Sequence, residues 1–211
     1  MAKTTLTSKS LDHTARGRLL AAATELFSRK GYAATVTREI VAAAGVTKPV
    51  LYYYFRNKEG IYLELMLEAF AKLDAILDAS RSERGSATDR LQRLSDRIFS
   101  TFMENIEVAR LVYSIYYGPH QGAPFFDSDA YHLKLHDAIR RLVKEGIHQG
   151  ELQKWGVEDM VWTILGAVNV AMEAQLGHPE IRMDRRRLAR ILKLIFQGIS
   201  AQRRRQKGER E

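Results

Sequence analysis

Apolar residues recur three and four positions apart along nearly the whole chain, and almost nothing interrupts them. Only four prolines occur, Pro49, Pro119, Pro124 and Pro179. The alternating runs that a half-buried strand needs are absent, and no segment repeats at a fixed period. A chain of 211 residues patterned this way folds as helices packed on helices. The expected architecture is all-α, with about nine helices: three in a small head and the rest in a larger body.

Local signals divide the pattern. A first helix is expected from about His13 to Lys30, with the stripe Leu19, Leu20, Ala23, Leu26 and Phe27 and the stop signal Gly31. Thr37 is a suitable N-cap for Arg38–Ala44, and Thr47 for Lys48–Phe55, with Pro49 in the first turn. A long helix follows from Glu59 to about Ala79. Further helices are expected near 87–105, 106–117, 129–149, 157–176 and 184–204, with 118–128 as a loop. Residues 1–12 read as a flexible arm and 205–211 as a basic tail.

Several classes of protein are excluded early. There is no cysteine, so no disulfide framework, thiolate metal site or cysteine nucleophile exists. No apolar run approaches the ~18 residues of a membrane span. The polar start is unlike a secretory signal, and a cytoplasmic location is expected. Charge is uneven. Residues 1–58 carry 10 Lys/Arg against 3 Asp/Glu, residues 59–181 carry 12 against 19, and residues 182–211 carry 11 against 3. A basic head on an acidic body suits a nucleic-acid reader on a carrier.

Two helices of about two turns each, joined at Gly45, make a helix-turn-helix pattern over about 36–55. Ile40, Val41 and Ala44 can face the first helix, while Val46, Leu51 and Phe55 lock the second. The faces left over show Arg38, Thr47, Lys48, Tyr52, Tyr53, Tyr54, Arg56 and Lys58. The stretch Arg18–Met66 resembles the N-terminal domain of the TetR family of transcriptional regulators. The matching marks are Ala23, Leu26-Phe27, Gly31-Tyr32, Thr37, Ile40, Ala43-x-Gly45-Val46 and Leu51-Tyr52-x-Tyr54-Phe55-x-x-Lys58-Glu59. The resemblance implies a DNA-binding domain over 13–58 and a ligand-binding and dimerisation domain over 59–204. It also implies a homodimer on a palindromic double-stranded operator, released by a small-molecule effector. Thr37, Arg38, Thr47, Lys48, Pro49, Tyr52 and Tyr53 would approach bases or backbone, and Tyr54 and Lys58 would meet phosphate. Tyr stands at 54, where His is also frequent in the family; both can donate to phosphate.

The body shows no phosphate loop and no nucleophile elbow, so no catalytic residues and no cofactor are expected. Asp129, His132 and His136 align at i, i+3 and i+7, which we read as a polar helix face rather than a metal site. Phe99, Phe102, Met103, Tyr113, Tyr117, Trp162, Asn169 and Met172 are the expected lining of a pocket for an apolar or aromatic effector. Val161, Leu165, Val168, Leu188, Leu192, Ile195 and Ile199 form wide stripes on the last two helices, the expected dimer interface. The basic cluster Arg203–Arg205 reads as a solvated helix end. A rival class remains at this point: a helical ligand-binding protein or enzyme whose basic head holds nucleic acid without sequence preference.

Overall fold

The computed structural model describes residues 14–117, 122–181 and 183–199. The arm at 1–12 and the basic tail lie outside the described residues. Among those described there are nine α-helices and no strand: α1 Ala15–Ala34, α2 Thr37–Ala43, α3 Lys48–Phe55, α4 Lys58–Arg81, α5 Ala87–Glu104, α6 Ile106–Tyr116, α7 Ser128–His148, α8 Val157–Gly177 and α9 Arg185–Ile199. A short 3-10 turn, Pro179–Ile181, precedes α9. No helix is long and apolar enough to cross a membrane among these residues.

The ends follow the capping chemistry, with one shift. The Thr14 hydroxyl accepts from the Gly17 N–H at the start of α1, and Asp127 does the same for Ala130 at the start of α7. Gly31 breaks α1 where expected, at φ 81°, and Tyr32–Ala34 add a separate turn. Thr37 is not the cap of α2: Val36 holds that position, and Glu39 reaches back to its N–H at 3.2 Å. The reason is Lys30, which binds the other Glu39 oxygen at 2.6 Å and fixes the carboxylate over the helix start.

The chain forms two compact units. One contains the chain up to Phe70 with Asn105–Phe126; the other contains Ala71–Glu104 with the chain from Asp127 on. The division does not fall at residue 58, because α6 packs on α1. Leu111 of α6 is fully buried in the same core as Leu19, Phe27, Ile40, Leu51, Ile61 and Tyr62. Phe27, Tyr32 and Tyr62 pack ring on ring there, with centroids 5.2–6.4 Å apart. The head is thus larger than three helices.

In the second unit α7 packs on α5 and α8, and α9 on α5 and α8. This arrangement corrects the expected dimer interface. Val161, Leu165, Val168, Leu188, Leu192 and Ile199 are buried inside one chain, and Ile195 is half-buried. Because α8 touches three neighbours, its wide stripe is consumed within the chain. The side chains that α8 and α9 leave outward are different: Trp162 at 64%, Val170 at 60% and Leu194 at 68% exposed.

Candidate nucleic-acid interface

The turn between α2 and α3 is built by backbone hydrogen bonds. Ala44 N–H donates to Ile40 O at 2.9 Å, and Val46 N–H to Val41 O at 3.0 Å. Between them Gly45 takes φ 62°, a left-handed conformation in which a Cβ would be strained. Arg18 on α1 donates its Nε to Ala44 O at 3.0 Å, so the first helix grips the turn directly. Nothing in the sequence pattern marks Arg18 for that task, because a helical arginine normally reads as surface charge.

Helix α3 is anchored by Leu51 and Phe55, both buried. The anchoring leaves the opposite face open. Thr47, Lys48, Pro49, Tyr52, Tyr53 and Tyr54 are all exposed, Tyr53 by 82%. Thr47 is the N-cap residue of α3 as expected, but its hydroxyl makes no capping bond. Pro49 has no N–H and the Val50 N–H donates to Thr47 O at 3.1 Å, so of the first three helical residues Lys48 alone has an N–H to offer an anion. Pro49 sits in the first turn. Tyr53 and Tyr54 meet edge to face at 5.0 Å, which holds both rings upright. Arg38 is exposed on α2, while Thr37 is half-buried.

Lys58 has an internal task. Its Nζ donates to Tyr32 O at 2.8 Å and Thr35 O at 2.9 Å, and lies 4.1 Å from the Tyr32 ring centroid. Desolvation lowers its pKa from the ordinary lysine value. Two of its three protons are committed to the α1–α2 connection. Arg16 ties α1 to α4 through Glu64 and Glu68, the latter at 2.9 Å.

The expected pocket residues divide between the two units. Phe99, Phe102 and Met172 are buried in the second unit, with the Phe99 and Phe102 rings stacked at 6.3 Å. Asn169 is half-buried. Trp162 corrects the expectation: it lies outward, edge-on to His136 at 5.3 Å. Met103 is exposed on α5. Tyr113 and Tyr117 belong to the first unit, where their rings lie 5.5 Å apart and Tyr117 is exposed. His136 Nε2 lies 3.5 Å from Glu158. Among the described residues no group of three His, Asp or Glu side chains gathers at metal-binding range.

An anchored second helix with a bare, cationic and aromatic leading face defines a helix-turn-helix DNA-binding domain. Residues 19–65 match the family model of bacterial regulatory proteins, tetR family. Over these residues the head is similar to the DNA-binding domain of that family. The HTH-type transcriptional activator FasR of Mycolicibacterium smegmatis is 38% identical over 92 residues, 43% of this chain and 41% of that protein. The HTH-type transcriptional regulator QacR of Staphylococcus aureus is 43% identical over 51 residues, 24% of this chain and 27% of that one. These matches span less than half the length of either relative. Two solved structures share the fold at low identity. The ketosteroid transcriptional regulator KstR2 of Mycobacterium tuberculosis has TM-score 0.72 at 20% identity, covering 90% of this chain and 96% of that one. The TetR family transcriptional regulator PfmR of Thermus thermophilus has TM-score 0.70 at 24% identity, covering 90% and 98%.

Proposed function

We propose that the protein is a dimeric transcriptional repressor that reads a palindromic operator and is released from it by a small apolar or aromatic effector. The observation that carries this reading is the bare face of α3. Lys48 at its leading end can reach a guanine O6/N7 edge, Pro49 offers apolar surface to a thymine methyl, and the tyrosines supply hydroxyl donors. Two heads related by a two-fold axis would read two half-sites. In vitro selection from a random duplex pool tests it: a two-fold-symmetric consensus is the expected product, and a pool without consensus contradicts it.

Dimerisation through α8 and α9 is supported by their outward apolar side chains. Trp162, Gly166 and Val170 stand four apart on α8, and Leu194 and Gly198 four apart on α9. A Cβ on Gly166 or Gly198 would meet nothing within 4 Å, so both present open, flat surface to a second chain. The effector reading rests on the aromatic content of α5 and the apolar face of α8. It is also supported by relatives whose names concern apolar molecules, a fatty acid metabolism regulator of Bacillus subtilis and the ketosteroid regulator already described. Helix α4 is continuous from Lys58 to Arg81 and belongs to both units. Displacing its body half would move the head and spoil half-site spacing.

A further inference from the structure

Ion pairs within the second unit balance many of its exposed charges. Arg185 is held by Asp96, Arg140 by Glu158 and Lys134 by Asp74, while Arg93 and Arg97 share Glu83. Another set is left over. Asp159 and Glu173 of α8, and Arg186, Arg190 and Lys193 of α9, are exposed, and none has an ion pair or side-chain hydrogen bond among the described residues. Helix dipoles account only for Asp159, in the first turn of α8. Arg186 stands in the first turn of α9 and Glu173 near the C-terminal end of α8, so each faces the like-signed end of its own helix dipole.

These charges continue the outward apolar surface. Along α8 the residues Asp159, Trp162, Gly166, Val170 and Glu173 recur at spacings of three and four, which puts them on one face with a carboxylate at either end. Along α9 Arg186, Arg190, Leu194 and Gly198 do the same, with Lys193 beside them. The two helices pack on each other within the unit. Even so, among the described residues the carboxylates of one and the cations of the other do not meet inside the chain. A nucleic acid would be drawn to α9 and repelled by α8, and a basic protein would meet the reverse. A second copy of the chain satisfies both at once. A two-fold contact that sets α8 of each protomer against α9 of its partner pairs the stripes twice.

We propose that this self-complementary charge pattern, Asp159 and Glu173 on α8 against Arg186, Arg190 and Lys193 on α9, selects a second copy of this chain as the partner. The apolar side chains between the charges would hold almost any helical face, whereas like charges brought together at an interface reject a wrong one. Selection in this form rests on the dimer reading above and adds to it what decides which chain is accepted.

Two full-length double variants test the pattern. Arg190→Glu with Lys193→Glu reverses the α9 stripe, and Asp159→Lys with Glu173→Lys reverses the α8 stripe. All four positions are exposed, so both chains should melt within about 2 °C of the wild type. If the α8 variant does not fold, Glu173→Lys alone replaces it. Sedimentation of each chain, and native mass spectrometry of an equimolar mixture, give the readout. The expected result is a wild-type dimer and a dimer dissociation constant raised about tenfold or more in either variant alone. In the mixture, dimers containing one chain of each variant should form, because each reversed stripe then meets its opposite. Raising salt should relieve the block in either variant alone, since repulsion between exposed charges is screened. A monomeric wild type would overturn the dimer reading and the selection with it. Dimers as tight as wild type in both variants would overturn the selection and leave the dimer standing, and so would a mixture without mixed dimers. An α9 variant that dimerises normally but loses affinity for a random-sequence duplex would assign the cations to nucleic acid instead.

Discussion

Lys48 and Lys58 are both cations beside the same helix, yet the structure gives them different work. Lys48 is exposed, and on the proposed reading its ammonium meets DNA. Lys48→Ala should relax preference at one base pair per half-site, costing on the order of 1–3 kcal/mol of discrimination, as read by competition binding with mutated operators. Lys58 holds two backbone carbonyls. Lys58→Ala should therefore lower the thermal midpoint of the protein as well as weaken binding to all sequences alike. Weakened binding with an unchanged midpoint would make Lys58 a phosphate contact alone. Gly60 is constrained more tightly: a Cβ there would overlap the Phe55 carbonyl oxygen, which already accepts from Asn57 N–H at 2.6 Å. Gly60→Ala should destabilise the head by about 1–3 kcal/mol in denaturant melts. This demand is invisible in the sequence, because a glycine in the first turn of a helix usually signals only a weak helix former.

Among the elements, the α4–α5 junction depends on one carboxylate. Glu83 is mostly buried and binds Arg93 at 2.9 Å together with Arg97. The hydrogen bond from Arg93 is the largest cause of its lowered pKa, ahead of the charges of both arginines. A depressed folded-state pKa means that this stabilisation is present above the unfolded carboxylate value and lost as pH falls through the folded one. Because both arginines are well exposed, it is worth about 1 kcal/mol. Glu83→Gln should lower stability by that amount near neutral pH, and the gap should close as pH falls through the lowered folded-state value of Glu83. A gap independent of pH would assign the effect to packing. Element starts and stops are legible because end signals are local: Gly31, Gly45 and Thr47 all act within four residues. The N-cap of α2 lies one residue earlier than expected because Lys30, from another helix, steers Glu39 onto Val36.

Across the whole molecule, legibility falls with sequence separation. The all-α class and the exposed side of α3 can be read because periodicity states which face is apolar. Which partner covers that face cannot. The stripe on α8 looks too wide for one chain, yet α5, α7, α9 and the 3-10 turn all pack on that helix. Trp162 looks interior by size alone and lies outside. On the dimer reading, assembly uses what remains outward. Leu194→Asp or Val170→Asp should leave the fold intact, since both positions are exposed, while yielding monomers by light scattering and loss of operator binding. Dimers with unchanged affinity would move the interface elsewhere.

Footprinting of the full chain on a duplex of the selected consensus, at physiological salt, tests the central claim most directly. The account predicts two protected half-sites related by a two-fold axis, centred about one helical turn or a multiple of it apart. Protection should vanish when either half-site is scrambled. Uniform protection without half-sites, unaffected by scrambling and lost on raising salt, would show a head that holds nucleic acid by charge alone.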